Sequence, residues 1–379
     1  MLRMRGPVGR KEISKQTGLS FATVCRVVDE LIDRKIAAEL GEVNIGRAKR
    51  KTALVGLNAA GGWTAAVDIG ASAIRSAAVD FAGNLHYLCE TPLENAKGEE
   101  TVARILTEEL RGLKKRARRQ LGAPAAAGVS CAGIVDPDAG VVKLSFNLEL
   151  REFPIARLAG DACGVPVAIG NDVQCAALAE AKLGPGRSHP NFALINVGMG
   201  VGAGIVIGGK VQPLPRDAEF GLMLVAVEGD PERFEGRGYL ESVASGSGIL
   251  AAVRREILSG RKTSVAPNGS KDLSSLRLAD VINAAQNCDA LAQEAVKRAA
   301  NYLGLAVVNF AHTLGLTLFI FSGDIPENCG VFWESLQETV SRYEFWPGRI
   351  TIEQSKLGKD AALLGAAMSA LDLINDIYR

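Results

Sequence analysis

The order of apolar and polar residues divides the chain into a short N-terminal region and a longer body. In the short region a first helix is predicted over 11–17, which ends at Gly18, and Ser20 can cap a second helix. The second helix has one apolar stripe at three- and four-residue spacing, formed by Val24, Val27, Val28, Leu31 and Ile32. Two helices joined by a glycine-containing turn are typical of DNA-binding helix-turn-helix units.

A β-hairpin with a basic tip is predicted after these helices. Alternating residues indicate strands at 39–43 and 52–57, and a basic segment lies between them. An arginine on such a tip suits the narrow minor groove of DNA, and Phe21, Thr23 and Arg26 would face bases and phosphates. The pattern therefore favours a winged helix-turn-helix, although a small helical packing module with a solvated charge run has the same pattern. Only residues 1–5 precede Gly6-Pro7, so a further helix there would be short.

The body repeats one pattern of strand, small-residue turn and strand. It occurs first as strands 64–69 and 74–80 around Gly70-Ala71-Ser72, and again as strands 191–197 and 205–208 around a glycine-rich turn over 198–204. A strand rather than a helix follows the glycines, so the pattern is no dinucleotide fingerprint. The repeat predicts two similar half-domains that close on a cleft.

Asp68 lies at the end of the first of these strands. A carboxylate before a tight turn of small residues can hold a metal-bound water while the backbone approaches a phosphate. The alternative is a plain β-hairpin with one exposed aspartate.

Further polar residues lie where apolar strands end. Asn147 follows the apolar segment 144–146, while Asn171 and Asp172 follow a strand over 165–169 and open a helix that reaches Leu183. Glu219 and Glu241 lie in the glycine-rich segment 216–248. Such side chains offer the mixed donors and acceptors that a polyhydroxylated ligand needs. Asp172 could act as a general base on a sugar hydroxyl, or only as an N-cap with Asn171.

A predicted helix over 99–121 has one apolar face and a basic C-terminal half. Six cations crowd that half, namely Arg111, Lys114, Lys115, Arg116, Arg118 and Arg119. We favour a solvated face helped by the helix dipole, with a second nucleic-acid patch as the alternative. The apolar stretch 303–321 is interrupted by Asn309, His312 and Thr313, which favours a buried helix ending near Gly315 and a strand over 316–321 rather than a membrane span.

Charge and cysteine content add to this division of the chain. Residues 1–58 hold twelve Lys and Arg against six Asp and Glu, a charge of +6, whereas the remainder is −5, which leaves a total of +1. Seven cysteines without a C-x-x-C pair indicate reduced thiols in a cytoplasmic protein. The three histidines are far apart, and no Cys/His cluster has zinc-site spacing.

Several of these segments together resemble the ROK family (repressors, open reading frames and kinases), in particular its regulators of the N-acetylglucosamine and xylose repressor type. Residues 18–24 are similar to the family's entry into the recognition helix, and Gly46-Arg47 to its wing. Residues 68–72 are similar to its Asp-x-Gly-Gly-Thr phosphate loop. The segment 133–136 matches the one before the sugar site, and 365–367 the end helix.

The resemblance implies an α/β chain with a winged helix-turn-helix at 1–58 and an actin-like body of the ribonuclease H-like, sugar kinase type. The body would have one lobe at 59–183 completed by 358–379, and a second at 184–357. The implied DNA contacts are Ser20, Phe21, Thr23, Arg26, Gly46, Arg47, Lys49 and Arg50. The implied sugar contacts are Asn147, Asn171, Asp172, Glu219 and Glu241. Vestigial phosphate-turn positions are Asp68, Gly70, Ser72, Gly198 and Gly200.

Departures from the family pattern affect cofactors and catalysis. Leu222 stands where the family has a zinc-binding histidine, and its cysteine triplet falls on Glu232, Phe234 and Tyr239, so no zinc site is expected. Ala71 and Ser72 replace the second glycine and threonine of the first phosphate loop. Met199 replaces a threonine of the second loop, and its bulkier side chain would obstruct a phosphate. Mg-ATP is expected only if the chain is a kinase.

Three functions follow from these observations. The first is a transcriptional regulator, most simply a repressor, with a double-stranded DNA operator, a sugar or sugar-phosphate effector and a homodimeric or homotetrameric assembly. Effector binding would change half-domain closure and with it the spacing of two winged domains. The second is a sugar kinase with Asp172 as catalytic base. The third is a structural DNA-binding protein whose body only dimerises. No membrane partner is expected.

Overall fold

The computed structural model describes residue 2 and residues 6–45, 50–93, 97–213, 219–228, 236–266 and 273–377. The chain divides into two compact units, one of residues 1–187 with 360–379 and one of residues 188–359. The first unit thus holds both the N-terminal region and the sheet that follows it. The separate N-terminal domain over 1–58 and the lobe boundaries, both expected from the sequence, stay predictions.

Two short helices and a β-hairpin form the N-terminal part of the first unit. The elements are β1 (Val8–Gly9), α1 (Arg10–Thr17), α2 (Phe21–Asp33), β2 (Ala37–Ile45) and β3 (Arg50–Leu57), and the strands form a sheet in the order β1-β3-β2. Gly18 ends α1 in the left-handed conformation, and the Ser20 side chain accepts a hydrogen bond from the Thr23 N–H at 3.1 Å. The predicted helix ends and the hairpin are therefore confirmed.

The predicted apolar stripe of α2 is correct except at Val27. Val24 and Val28 are buried against Ile13 and Val55, whereas Val27 is exposed. At about 100° per residue, position 27 lies about 60° around the helix from Val24, on the edge of the stripe. The tip residues 46–49 lie outside the described residues.

A five-stranded sheet forms the body of the first unit. The elements are β4 (Trp63–Ile69), β5 (Ala73–Asp80), β6 (Leu85–Pro92), α3 (Glu99–Leu121), β7 (Ala126–Cys131), β8 (Ile134–Asp136), β9 (Val141–Ser145), β10 (Leu150–Phe153), α4 (Ile155–Cys163), β11 (Val167–Asn171) and α5 (Asp172–Lys182). The sheet order is β11-β7-β4-β5-β6, and β4 pairs antiparallel with β5 and parallel with β7. Strands β8 to β10 form a separate small sheet.

The C-terminal helix (Ala361–Ile377) packs closely against this sheet and against α5. A Cβ at Gly128 of β7 would overlap the Ala366 carbonyl, and one at Gly365 would overlap the Cys175 carbonyl. Glycine at both positions is therefore needed for the helix to approach the sheet. Helices α3 and α4 contribute to the core that also contains Trp63, Val67 and Ile69.

The second unit is built on another five-stranded sheet. Its elements are β12 (Phe192–Val197), β13 (Val201–Ile207), β14 (Lys210–Val211), β15 (Leu224–Glu228), β16 (Arg237–Tyr239), α6 (Leu240–Ala244), α7 (Gly246–Leu258), α8 (Leu278–Gln286), α9 (Ala290–Leu314), β17 (Leu318–Ser322), α10 (Asp324–Asn328), α11 (Gly330–Tyr343) and β18 (Thr351–Gln354). The order is β14-β13-β12-β17-β18, with β12 antiparallel to β13 and parallel to β17.

The two sheets share one topology, which confirms the predicted repeat. Each begins with an antiparallel pair and continues on the other side of its first strand through two parallel strands. The predicted extent of the second turn was wrong, because β13 begins at Val201 rather than at Ile205. Gly202 and Gly204 pair with Asn196 and Leu194 of β12, so the turn comprises only residues 198–200.

The long apolar stretch is a buried helix followed by a buried strand, as predicted. Helix α9 ends at Leu314 with Gly315 in the left-handed conformation, and β17 follows. Among the described residues, no helix is long and apolar enough to span a membrane.

Candidate functional site

Asp68 is the ionisable residue of the first strand–turn–strand unit. Its Oδ1 accepts a hydrogen bond of 2.7 Å from Ser130 Oγ, and Arg75 lies opposite it in the antiparallel pair. Burial and the negative charge of Asp172 raise the pKa of Asp68 to about 7, although Ser130 and Arg75 counteract this. Gly70 and Ser72 lie in the turn, where the Gly70 N–H donates to the Ala73 carbonyl at 3.0 Å.

Asn171, rather than Asp172, caps the N-terminus of α5. Asn171 Oδ1 accepts the N–H groups of Val173 and Gln174 at 3.0 and 3.1 Å, so Asn171 is the N-cap and Asp172 the first helical residue. Asn171 Nδ2 donates to Asp172 Oδ1 at 2.9 Å and to the Gly133 carbonyl at 3.0 Å. Burial raises the pKa of Asp172 as well. Two coupled carboxyl groups with raised pKa values are typical of a functional site.

Asn147 lies in a turn that follows a strand packed against Gly133, the residue whose carbonyl Asn171 contacts. The turn 146–149 connects β9 and β10, and both Asn147 and the preceding Phe146 are exposed. A Cβ at Gly133 would meet Ser145 at the end of β9, so the turn starts beside the carbonyl that Asn171 binds. The first unit therefore assembles Asp68, Asn171 and Asp172, with Asn147 on a neighbouring turn.

The second turn is held by hydrogen bonds from α7. The Met199 carbonyl accepts Ser247 Oγ at 2.8 Å, and the Gly198 carbonyl accepts the Gly246 N–H at 2.8 Å. The Met199 side chain is 45% exposed. Beside it lies a cavity of about 330 Å³, lined by Met199, Ser247, Leu250, Arg254, Leu276, Arg277 and Leu278.

Glu241 contacts this turn directly. Its Oε2 accepts the Val201 N–H at 3.2 Å and lies 3.0 Å from where a Cβ at Gly200 would be. Glu219 is exposed and precedes a short helical turn over 220–222. Glu241 thus has a bracing contact that sequence reasoning, which assigned it to sugar, missed.

The segment where no zinc site is expected from the sequence contains a pair of short strands. Leu222 is exposed, and Tyr239 ends β16, which pairs with β15. Glu232 and Phe234 lie outside the described residues. In the part of the chain that the structure describes, no group of three or more His, Cys, Asp or Glu side chains could hold a metal.

The candidate DNA-contacting residues lie at the N-terminal end of α2. Phe21 and Arg26 are exposed, Thr23 is half-buried, and Thr23 Oγ1 shares a 2.8 Å hydrogen bond with Ser20 Oγ. Gly46, Arg47 and Lys49 lie outside the described residues, and Arg50 is the first residue of β3.

Sequence reasoning missed the residues that position these groups. Arg10 of α1 donates to Asp29 of α2 at 2.7 Å and to Glu39 of β2 at 3.0 Å, and so ties the helices to the hairpin. Ser130 could have been found from the pattern, because it is the penultimate residue of a strand parallel to that of Asp68.

Comparisons with known proteins agree on one family. A family model described as "ROK family" matches residues 64–372. The chain is 25% identical over 378 residues to the xylose repressor of Caldicellulosiruptor bescii, covering 97% of this chain and 93% of the repressor. It is 28% identical over 314 residues to a glucokinase of Halalkalibacterium halodurans, covering 80% of this chain and 93% of the glucokinase. The crystal structure of a ROK family transcriptional regulator, a homolog of the E. coli MLC protein, has a TM-score of 0.80 at 22% identity and covers 99% of this chain and 94% of that one.

Proposed function

The chain belongs to the ROK family, and on this premise we propose that it is a DNA-binding transcriptional repressor controlled by a sugar or sugar phosphate. In this proposal residues 1–58 form a winged helix-turn-helix, and the actin-like body binds the effector. The chain acts as a homodimer or homotetramer on a double-stranded operator, because paired winged domains read paired half-sites.

The extent of the similarity carries this proposal. The xylose repressor matches 97% of this chain, whereas the glucokinase matches 80% and is itself covered to 93%. The match to nearly the whole glucokinase therefore leaves about a fifth of this chain unmatched. The match to the repressor includes most of that fifth.

The N-terminal geometry supports a DNA-reading role for α2. Ser20 caps the helix, so its first turn is fixed where recognition helices contact base edges. Phe21 and Arg26 are exposed there, and Arg10 holds the supporting helix and the hairpin in place. The charge of +6 over residues 1–58 is appropriate for a phosphate-backbone reader.

The polar groups of the first unit support effector binding. Asp172, Asn171 and Asp68 offer both acceptors and donors, as a polyhydroxylated ligand requires. The protein would have one conformation that binds DNA and one that does not. An effector would shift the equilibrium between them by as much as its affinities for the two conformations differ.

A sugar kinase is the second candidate, and the Asp68–Asp172 pair is the observation that favours it. A general base with a raised pKa is suited to deprotonating a hydroxyl. Met199 weighs against it, since an exposed thioether in the second turn supplies no hydroxyl or N–H to a phosphate. We therefore favour the repressor.

Fluorescence anisotropy with DNA from upstream of the chain's own gene tests the proposal. We expect binding at about 0.1 M salt at least a thousandfold tighter than to unrelated DNA. Arg26→Ala should weaken specific binding about tenfold or more, whereas Arg34→Ala, an exposed arginine at the other end of α2, should not.

Equal binding to operator and unrelated DNA would contradict the repressor. Effectors are found in the same assay by titrating xylose, glucose, N-acetylglucosamine and their phosphates against the DNA complex. ADP release with any of these sugars, abolished by Asp172→Asn, would instead establish the kinase.

A further inference from the structure

The basic half of α3 divides into cations with partners and cations without. Lys114 Nζ donates to the Cys163 carbonyl at 2.6 Å, and Arg116 lies 3.9 Å from Glu109. Among the described residues, no hydrogen bond or ion pair is formed by the side chains of the other four, Arg111, Lys115, Arg118 and Arg119. All four are exposed, and we refer to them as the basic face of α3.

These four side chains lie on one side of the helix. At about 100° per residue they fall within an arc of about 100°, opposite the buried Leu106, Leu113 and Ala117. The N-terminal half of the same helix has its cation paired, since Arg104 lies 3.1 Å from Glu108. The basic face is therefore a local concentration of charge on a body whose net charge is −5.

Helix stability does not account for the basic face. The helix dipole favours cations within the last turn only, which includes Arg118 and Arg119 but not Arg111. The pairs Arg111–Lys115 and Lys115–Arg119 are like charges at i,i+4 spacing, which weaken a helix. A solvated surface would have gained from interspersed acids, and residues 110–121 contain none.

The basic face begins where the body joins the N-terminal region. Trp63 Nε1 donates to the carbonyl of Gly122, directly after α3, at 3.3 Å. Two residues before Trp63, Gly61 packs against the carbonyl of Lys35 just beyond the end of α2. Helix α2 has 13 residues and is about 20 Å long, and the basic face extends over about 17 Å from Gly122. Both lengths are below one turn of B-DNA, which is about 34 Å.

We propose that the basic face of α3 is a second DNA contact, which binds backbone phosphates of the duplex flanking the segment that α2 reads. The inference rests on the proposed function in so far as DNA is the ligand. Helix α3 contains no aromatic residue, which favours a phosphate backbone over the stacked bases of single strands. Its apolar side is in the core, so it has no apolar surface to insert into a membrane.

The test compares two fourfold Gln variants of the full chain. One changes Arg111, Lys115, Arg118 and Arg119, and the matched control changes Lys210, Lys262, Lys297 and Lys356, which are exposed in the second unit. Each is titrated with the shortest operator that retains specificity and with the same operator extended by 20 base pairs on each side. Thermal unfolding confirms that both variants are folded.

On extended DNA the basic-face variant should bind roughly tenfold or more weakly at about 0.1 M salt. Its slope of log affinity against log salt should be less steep by about 2 to 4, since each lost phosphate contact removes about 0.9. The shortest operator and the control variant should show wild-type behaviour, and hydroxyl-radical protection of the flanks should disappear.

Equal slopes for wild type and basic-face variant on extended DNA would overturn the inference. So would unchanged DNA binding together with lost binding to vesicles that contain phosphatidylserine. If wild type binds all DNA equally and the basic-face variant loses that binding, the DNA contact stands while the sequence-specific repressor fails. If only the specific complex forms and the flanks do not matter, the repressor stands and the second contact fails.

Discussion

In each sheet, one position of the first strand lies beside one position of the neighbouring parallel strand. The residues at these two equivalent positions differ between the units. In the first unit Asp68 of β4 faces Ser130 of β7, and Ser130 Oγ donates to Asp68 Oδ1 at 2.7 Å. In the second unit Asn196 of β12 faces Ser322 of β17, and Ser322 Oγ donates to Asn196 Oδ1 at 3.2 Å. One position of the repeated fold is therefore a carboxylate in one unit and a neutral amide in the other.

The surroundings of the two positions follow this difference. Arg75 lies opposite Asp68, whereas Gly202 lies opposite Asn196. The first unit also places the carboxylate of Asp172 near Asp68, while the second uses a glutamate, Glu241, to brace its turn. The repeated strand order therefore specifies where a polar group lies, but not whether that group is charged. The two neighbouring carboxyl groups, Asp68 and Asp172, lie in the first unit.

Introduction of a carboxylate at the equivalent position of the second unit should have the largest effect on the free energy of unfolding. Asn196→Asp should lower the free energy of unfolding at pH 8 by about 3 kcal/mol, because a half-buried charge there has no arginine opposite it. The loss should shrink at pH 5, where the new carboxyl can take up a proton. Urea unfolding measures both. Asn191→Asp, at an exposed position, is the control, and equal stability of the two variants would contradict the comparison.

Removal of charge at the start of α5 should affect ligand binding rather than folding. Asp172→Asn should weaken effector binding about fiftyfold, a little over 2 kcal/mol, since a hydrogen bond to a charged group is lost. Isothermal titration calorimetry measures this change, and DNA binding without effector should remain as in wild type. Asp324→Asn, at the start of α10 in the second unit, should change neither; effector affinity unaltered by Asp172→Asn would place the ligand elsewhere.

The hydrogen bonds of Ser130 and Ser322 show whether the acceptor in each unit is charged. Ser130→Ala should lower the free energy of unfolding at pH 8 by about 2 kcal/mol, and Ser322→Ala by about 1 kcal/mol, because only the first hydrogen bond has a charged acceptor. Urea unfolding of both variants at one pH decides the matter. Losses of equal size would mean that Asp68 is protonated at that pH.

The smallest expected effect is pH-dependent. The pKa of Asp68 is raised to about 7 from 3.8, so this group lowers stability progressively as the pH rises from about 4 to about 7, and fully above that. The whole pKa shift corresponds to about 4 kcal/mol. Because an amide at this position also loses the carboxyl's contacts with Ser130 and Arg75, Asp68→Asn should raise the free energy of unfolding by only about 1 kcal/mol at pH 8. The gain should fade toward pH 4. A gain that is constant with pH would show that the pKa of Asp68 is unshifted.

Local signals were sufficient for much of the fold. Helix 99–121 was predicted with its observed ends because glycines flank it and its apolar residues recur at helical spacing. The cap at Ser20 and the left-handed Gly18 follow from the same kind of signal. The start of β13 was wrong because glycines that pair across a hairpin have the same composition as glycines in a loop.

The site could be predicted only in part. Asp68, Asn171 and Asp172 are recognisable from their places at strand ends. Their partners are distant in sequence, since Ser130 is 62 residues from Asp68, and Ser322 is 126 residues from Asn196. Such contacts depend on strand order and register, which no local pattern specifies. Likewise, the bracing role of Glu241 depends on where α6 meets the turn.

The joint between α2 and the first sheet has a consequence for genetics. Gly61 packs so closely on the Lys35 carbonyl that a side chain would overlap it, and Asn58 Nδ2 donates to the same carbonyl at 2.9 Å. With these contacts, we expect residues 1–58 to move together with the first sheet rather than to pivot on it. If the chain is the repressor proposed above, alleles with residues inserted between 58 and 62 should therefore bind the operator without responding to the effector, and they would be recovered as dominant, uninducible mutants.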